Sequence, residues 1–447
     1  MADHRPFRQH VKQTGVSPVS FVSFQEGRCT VHILGTPQFH TRHINVKMTK
    51  PIRRPDVTAT AMLPYLWMEG TSTYPSALEI IRRSDTLFGT VLQTGVGKRG
   101  SRQMVEAYAG FAAAKADDTL FSDVLALVLE IMFDPATVDG TFPEGHVERQ
   151  RVLHQKRIAS VYDDKIQYAY ERCMAEVARG RPESLPRLGF TEDLKDCTGA
   201  RLWQAYQDLC DEADIHVYVV GPISDAEAEA KIILGRINAA FTRLSTRAPE
   251  SESVVQALPV RAGQERQVVD EQSVVQGKLN LGIRTGISYK DESYPALLVA
   301  NGILGGFPHS KLFRNVREKA SLAYYASSRL DALTGVISVQ TGIEVANYDR
   351  VLAIIKEQIQ ALRNGDVDEN ELDYTKRGLR NQYQVMLDQP MTMADQHFVG
   401  VLAGNPRSIP ELLTAIDQVT PADVAQVAAN WTVDIVYFLK GRVQTSA

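Results

Sequence analysis

Cysteine is sparse in this chain: Cys29, Cys173, Cys197 and Cys210 are the only four in 447 residues, and none stands at C-x-x-C spacing. That excludes a zinc ribbon and a disulfide framework, and a reducing, cytoplasmic setting is expected. Long apolar runs are missing too, and none approaches the ~20 residues that span a bilayer. Residues 1–17 are basic without the apolar core of a secretory signal. Nor is there an excess of either charge: 49 Lys and Arg against 53 Asp and Glu leave a formal net charge of −4. Neither nucleic acid nor a membrane is therefore expected as a partner.

What is present is ordinary globular material, 44% hydrophobic and 23% charged, in a chain too long for one core. Read for period, it repeats its grammar once. A strand near 40–49 is followed by an apolar helix over 58–69, a helix entered at Tyr74-Pro75, and a strand near 103–110. Long helices are expected over 118–133 and about 145–178. The second half opens with a strand at 278–287 and a helix again entered by Tyr-Pro, over 294–306. Strands at 322–328 and 335–341 follow, then helices over 347–364 and 368–387, the latter acidic in its first turn as a helix N-terminus favours. A helix and strand over 420–441 close the chain. This predicts an α+β protein of two like halves, each a mostly antiparallel sheet with helices packed on it. The polar, Pro-containing stretch 234–264 is the expected join.

The most informative segment is 311–328, KLFRNVREKASLAYYASS, in which apolar residues at helical spacing give way to a strand. Arg317 and Tyr324 stand seven apart across that junction, where a guanidinium and a phenol can both point at one carbonyl. On chemistry alone Arg317 is a solvated helix residue and Tyr324 a half-buried strand tyrosine. With QGKLNLGIRT (276–285) and NGILGGFPHSKLF (301–313), however, the stretch resembles the C-terminal half of the pitrilysin/insulinase family of zinc peptidases. The resemblance covers nearly the whole chain. It implies two related domains, 1–235 and 236–447, facing each other as a clamshell, with Arg317 and Tyr324 holding substrate. Asn301 and Phe307 match the family pattern as well, and a core role is expected for both.

Active members of that family carry H-x-x-E-H on a first-domain helix, two zinc ligands with a general base between them. The matching segment here is TATAMLPYLWMEGTSTYP (58–75), and the three key positions fall on Ala61, Pro64 and Tyr65. None is a zinc ligand, and proline cannot act as a base. The distal acidic region matches 147–164, where Glu148, Gln150 and Arg157 stand. His40 and His43, and His146 and His154, are expected to be surface or boundary residues. Gly95 to Lys98 lacks phosphate-loop spacing and is expected to form a turn. Gly302, Gly305 and Gly306 end a helix and do not open one, so they form no dinucleotide fingerprint.

The resemblance thus implies a non-catalytic, substrate-binding subunit of a heterodimeric zinc peptidase, similar to bacterial two-subunit processing proteases. This chain would bind no cofactor of its own, the zinc would sit in a homologous partner, and the substrate would be a peptide or unfolded polypeptide. The alternative is a structural scaffold with a peptidase-like fold, similar to the core subunits of the respiratory chain. An autonomous hydrolase with an unorthodox metal site is the third reading, and metal content separates it from the others.

Overall fold

The computed structural model describes residues 20–113, 119–241, 254–260 and 265–441. The basic N-terminal stretch lies outside the described residues, as do 242–253 and 261–264 of the expected join. Strands β1 (Val22–Glu26), β2 (Cys29–Gly35), β3 (Thr41–Pro51), β4 (Val91–Arg99), β5 (Arg102–Ala112) and β6 (Asp214–Gly221) form one sheet in the order β1-β2-β6-β3-β5-β4. Strands β7 (Arg266–Gln272), β8 (Gly277–Arg284), β9 (Ala323–Asp331), β10 (Val336–Ile343) and β11 (Thr432–Gly441) form the other, ordered β7-β11-β8-β10-β9.

Leaving out the hairpin strand β1, both sheets have one topology: first, fifth, second, fourth, third. In each the first and fifth strands are parallel and every other pair is antiparallel. The duplication read in the sequence is therefore present in the strand order. In each sheet an aspartate of the fifth strand pairs with a buried arginine, which stands on the fourth strand in one sheet and on the second in the other. Arg102 on β5 meets Asp214 at the head of β6, and Arg284 on β8 meets Asp434 near the head of β11.

By packing, the chain forms two compact units. One comprises 1–159, 185–253 and 390–395, and the other 160–184, 254–389 and 396–447. Each half of the sequence lends a segment to the unit built mainly from the other half. Residues 160–184 precede the expected boundary at 235 yet belong to the second unit. Their helix, Lys165–Val177, buries Ala169, Cys173 and Val177 against Leu258, Val336, Ile435, Tyr437 and Leu439. Gly282 on β8 permits this approach, because a Cβ there would lie 2.2 Å from Val177 Cγ2.

Three local expectations need correction. The single helix expected over 145–178 is two, Glu144–Asp163 and Lys165–Val177, because the Asp164 carboxylate accepts from the amides of Ile166 and Gln167 and starts a new helix. Gly95 to Lys98 is not a turn but part of β4, where bare Gly97 leaves room for the Met104 methyl of the neighbouring strand. The first Tyr-Pro precedes its helix, Ala77–Thr86, which is capped by the Ser76 hydroxyl; at the second, Pro295 lies in the first turn of Tyr294–Asn301. The acidic start expected at 368 is a capping box of Asp368 and Glu371.

Arg284 is fully buried, and its guanidinium also donates to the carbonyls of Pro259 and Val177, so it ties strand, loop and helix together. Arg284→Met should lower stability by about 3–5 kcal/mol, because it leaves a buried carboxylate short of its partner. Urea unfolding checks this, and adding Asp434→Leu should recover much of the loss.

Candidate functional site

The segment carrying Arg317 is helical from Lys311, widening into a π-helical stretch over Phe313–Lys319. Its inner face is anchored. Leu312 and Val316 are buried, and Lys311 Nζ stands 2.8 Å from Glu371 Oε2, with both side chains about nine-tenths buried. Arg314 reaches the other oxygen of Glu371 at 3.4 Å, and Asn315 donates to Gln358 at 2.7 Å. The outer face presents Arg317, whose guanidinium lies over the Phe313 ring one turn back, 4.6 Å from its centroid. Among the described residues it has no carboxylate partner.

The chain then reverses at Ser321, whose φ of 53° is left-handed, and Leu322 donates to the Val316 carbonyl at 3.1 Å. This turn delivers the chain into β9, an edge of its sheet. Ala323 pairs with Ile343 and Tyr325 with Gly342, so Tyr324 is the extra residue of a β-bulge. Bulges re-aim side chains. Tyr324 is 63% exposed and its hydroxyl bonds to no described residue. The phenol of neighbouring Tyr325 is buried instead, and burial, with Asp164 adding to it, pushes that hydroxyl up to about 12.

Behind the pair, the helix Tyr294–Asn301 also ends in a π-helical turn, Gly302–Gly306. The Asn301 carbonyl accepts from Ser328 Oγ of β9 at 3.1 Å, and Gly305 lies so close that a Cβ would stand 2.5 Å from the Ser328 amide. Asn301 is buried. Phe307 packs against Gly302 and Gly378 and stacks on His309, with ring centroids 5.2 Å apart. Asn301 thus fills a core role, whereas Phe307 is half-buried.

In the other unit, the helix Val57–Leu66 carries the three degenerate positions. Ala61 is fully buried, Pro64 sits inside the helix, and Tyr65 is its one partly exposed side chain. The helix Glu144–Asp163 lies beside it, so the two regions paired by the resemblance do meet. What meets is not a ligand set. The Arg157 guanidinium carbon lies over the Tyr65 ring, 3.7 Å from its centroid, and the guanidinium donates to Gln150 Oε1 at 3.2 Å. Gln150 donates in turn to Glu69 at 2.7 Å, and Arg149 binds the other Glu69 oxygen at 2.6 Å. Burial would raise the Glu69 carboxyl, but these donors hold it below the usual range. Alanine, proline, a tyrosine covered by a guanidinium and an amide are not the donors that zinc takes. Among the described residues no three His, Cys, Asp or Glu side chains could jointly hold a metal ion.

His154, expected at the surface or boundary, is instead fully buried, with Nε2 2.8 Å from the Leu188 carbonyl oxygen and its ring near Tyr65. Its partner lies on a distant segment, so no local signal marked it. The four cysteines are free and buried, and burial pushes Cys197 up to about 11 and Cys210 to about 12. None is poised as a nucleophile.

The described residues thus form two sheets of one topology, a helix pair that brings together no three metal donors, and an edge strand beside which Arg317 and Tyr324 are exposed. Residues 196–379 match the family profile described as Peptidase M16 inactive domain. The chain is 34% identical over 429 residues, 95% of its length and 99% of the other's, to a Bacillus subtilis (strain 168) protein described as probable inactive metalloprotease YmfF. A conserved protein from Enterococcus faecalis V583 shares its structure with a TM-score of 0.84 at 27% identity, covering 96% of this chain and 99% of that one. A Pseudomonas fluorescens structure described as a peptidase M16 inactive domain shares the fold at 17% identity, with a TM-score of 0.75 over 96% of this chain and 100% of that one. The chain belongs to the M16 peptidase family and is a homologue of its inactive members. No described helix is long and apolar enough to cross a membrane.

Burial, joined by the charges of Arg157 and Arg187 and opposed by the Leu188 hydrogen bond, lowers His154 to about 4. Between pH 6.5 and about 4 the unfolded chain binds a proton on this ring that the folded chain refuses. Stability should therefore fall as pH falls through that window, by roughly 3 kcal/mol in all. His154→Gln should remove that component, seen as a smaller drop in urea midpoint from pH 7 to pH 4.5.

Proposed function

We propose that this chain is the non-catalytic, substrate-binding subunit of a two-chain zinc peptidase, with metal, base and water supplied by a zinc-bearing homologous partner. The observation that carries the reading is the state of Arg317 and Tyr324. Both are exposed on an anchored scaffold, and neither donor is spent on a described side chain or carbonyl. A guanidinium turned outward and a phenol re-aimed by a bulge suit the main-chain carbonyls of a bound peptide. The β9 edge beside them offers backbone amides and carbonyls to an extended polypeptide by strand addition. The substrate is then a peptide or unfolded polypeptide read largely through its backbone.

The division of labour has a physical basis. Zinc and its base generate the nucleophile, whereas the guanidinium and phenol stabilise charge developing on the carbonyl oxygen, so each chain lowers a different part of the barrier.

Alone, the purified chain should hydrolyse no peptide at a useful rate, and adding the zinc-bearing homologue should create activity neither has separately. In the reconstituted pair Tyr324→Phe should lower turnover on the order of 10²–10³-fold with assembly intact. Arg317→Ala should also weaken peptide binding, through loss of a charged, forked donor. Near-normal turnover in both variants would instead assign the chain to the scaffold reading.

A further inference from the structure

We infer that Arg157 is a built-in cation that has taken over the place and the bridging task of the family's metal ion. It joins the helix Val57–Leu66 to the helix Glu144–Asp163 without any exchangeable ligand. In the arrangement that the resemblance implies for active members, two side chains of the first helix and one from the distal region would converge on a dication. Here the same helices converge on a guanidinium. It lies over the ring of Tyr65, at the last of the three degenerate positions, and donates to Gln150, in the distal region. The linkage continues through Gln150 to Glu69, just beyond the first helix, and Arg149 closes it from the same side as Gln150. Arginine suits the task because it stays charged in proteins, stacks on aromatic faces and donates in a fixed plane.

The charge balance favours a resident cation over a visiting one. Arg157 and Arg149 stand here with Glu69, and buried His154 is neutral at physiological pH. A zinc ion would meet a fixed positive charge before any ligand. Restoring the three first-helix residues of the motif is therefore not enough to restore metal binding while Arg157 remains. This inference does not depend on the chain having a partner.

The test has two parts, both on the full chain. In the first, Tyr65→Leu, Arg157→Met and the double variant are compared by urea unfolding. A coupling of about 2- to 30-fold in the unfolding equilibrium is expected, the range of a cation–π pair. Arg157→Lys should not recover it, since the planar stack is lost. Additive single effects, or full rescue by lysine, would overturn the assignment. In the second part, Ala61→His/Pro64→Glu/Tyr65→His is made with Arg157 kept and with Arg157→Glu, and each is titrated with zinc alone by calorimetry and elemental analysis. Zinc should bind at about one per chain only when Arg157 is replaced. Equal zinc binding by both variants, or stoichiometric zinc in the unaltered chain, would overturn it. Should the redesigned variants not fold, the unfolding cycle alone decides.

Discussion

The segment that presents Arg317 in the second unit hangs on the carboxylate of Glu371, which does several jobs from one buried position. It belongs to the capping box of its own helix, Glu369–Met386, while its oxygens take Lys311 at 2.8 Å and Arg314 at 3.4 Å from the neighbouring helical segment. Desolvating one carboxylate and one ammonium is costly, and a buried pair alone often fails to recover that cost. Here the second cation and the helix N-terminus both add to the attraction. The gain is geometric: the segment is held by one face, so its opposite face presents Arg317, and the turn at Ser321 enters β9 at a defined register. From that register follow the bulge and the outward aim of Tyr324.

The two units show how one topology can carry opposite outcomes. Apart from the hairpin strand β1, both sheets share one strand order, so the same scaffold is present in each. In the first unit the helix that would hold the metal is sealed by alanine, crossed by proline and covered by a guanidinium. In the second, the polar pair has remained in the open.

Elements whose signal is local were legible in the sequence. The Tyr-Pro helix starts, the acidic first turn at 368 and the strands near 40–49 and 278–287 rest on neighbouring residues, and the structure has them within a few positions. Elements decided by distant partners were not. Glycines at 95 and 97 suggest a turn until Met104 arrives from the next strand. Arg157 and His154 look like ordinary helix residues until Tyr65 and the Leu188 carbonyl are placed beside them. The sequence has two adjacent tyrosines at 324 and 325, and only the bulge decides which phenol faces out. The site's residue types were thus readable, while the electrostatics around the degenerate metal positions depended on tertiary contact.

The helix Lys165–Val177 has a consequence for how the molecule is made. It is synthesised with the first half of the chain, yet its apolar face and the Val177 carbonyl belong to a core completed only by β11. That strand follows roughly 250 residues later. At ribosomal speeds of about 5–20 residues per second the helix waits tens of seconds for its partners. Through that interval Ala169, Cys173 and Val177 lack the β11 side chains that complete their core. It also means that the second unit cannot be inherited, expressed or exchanged as residues 236–447 alone without losing part of its own interior.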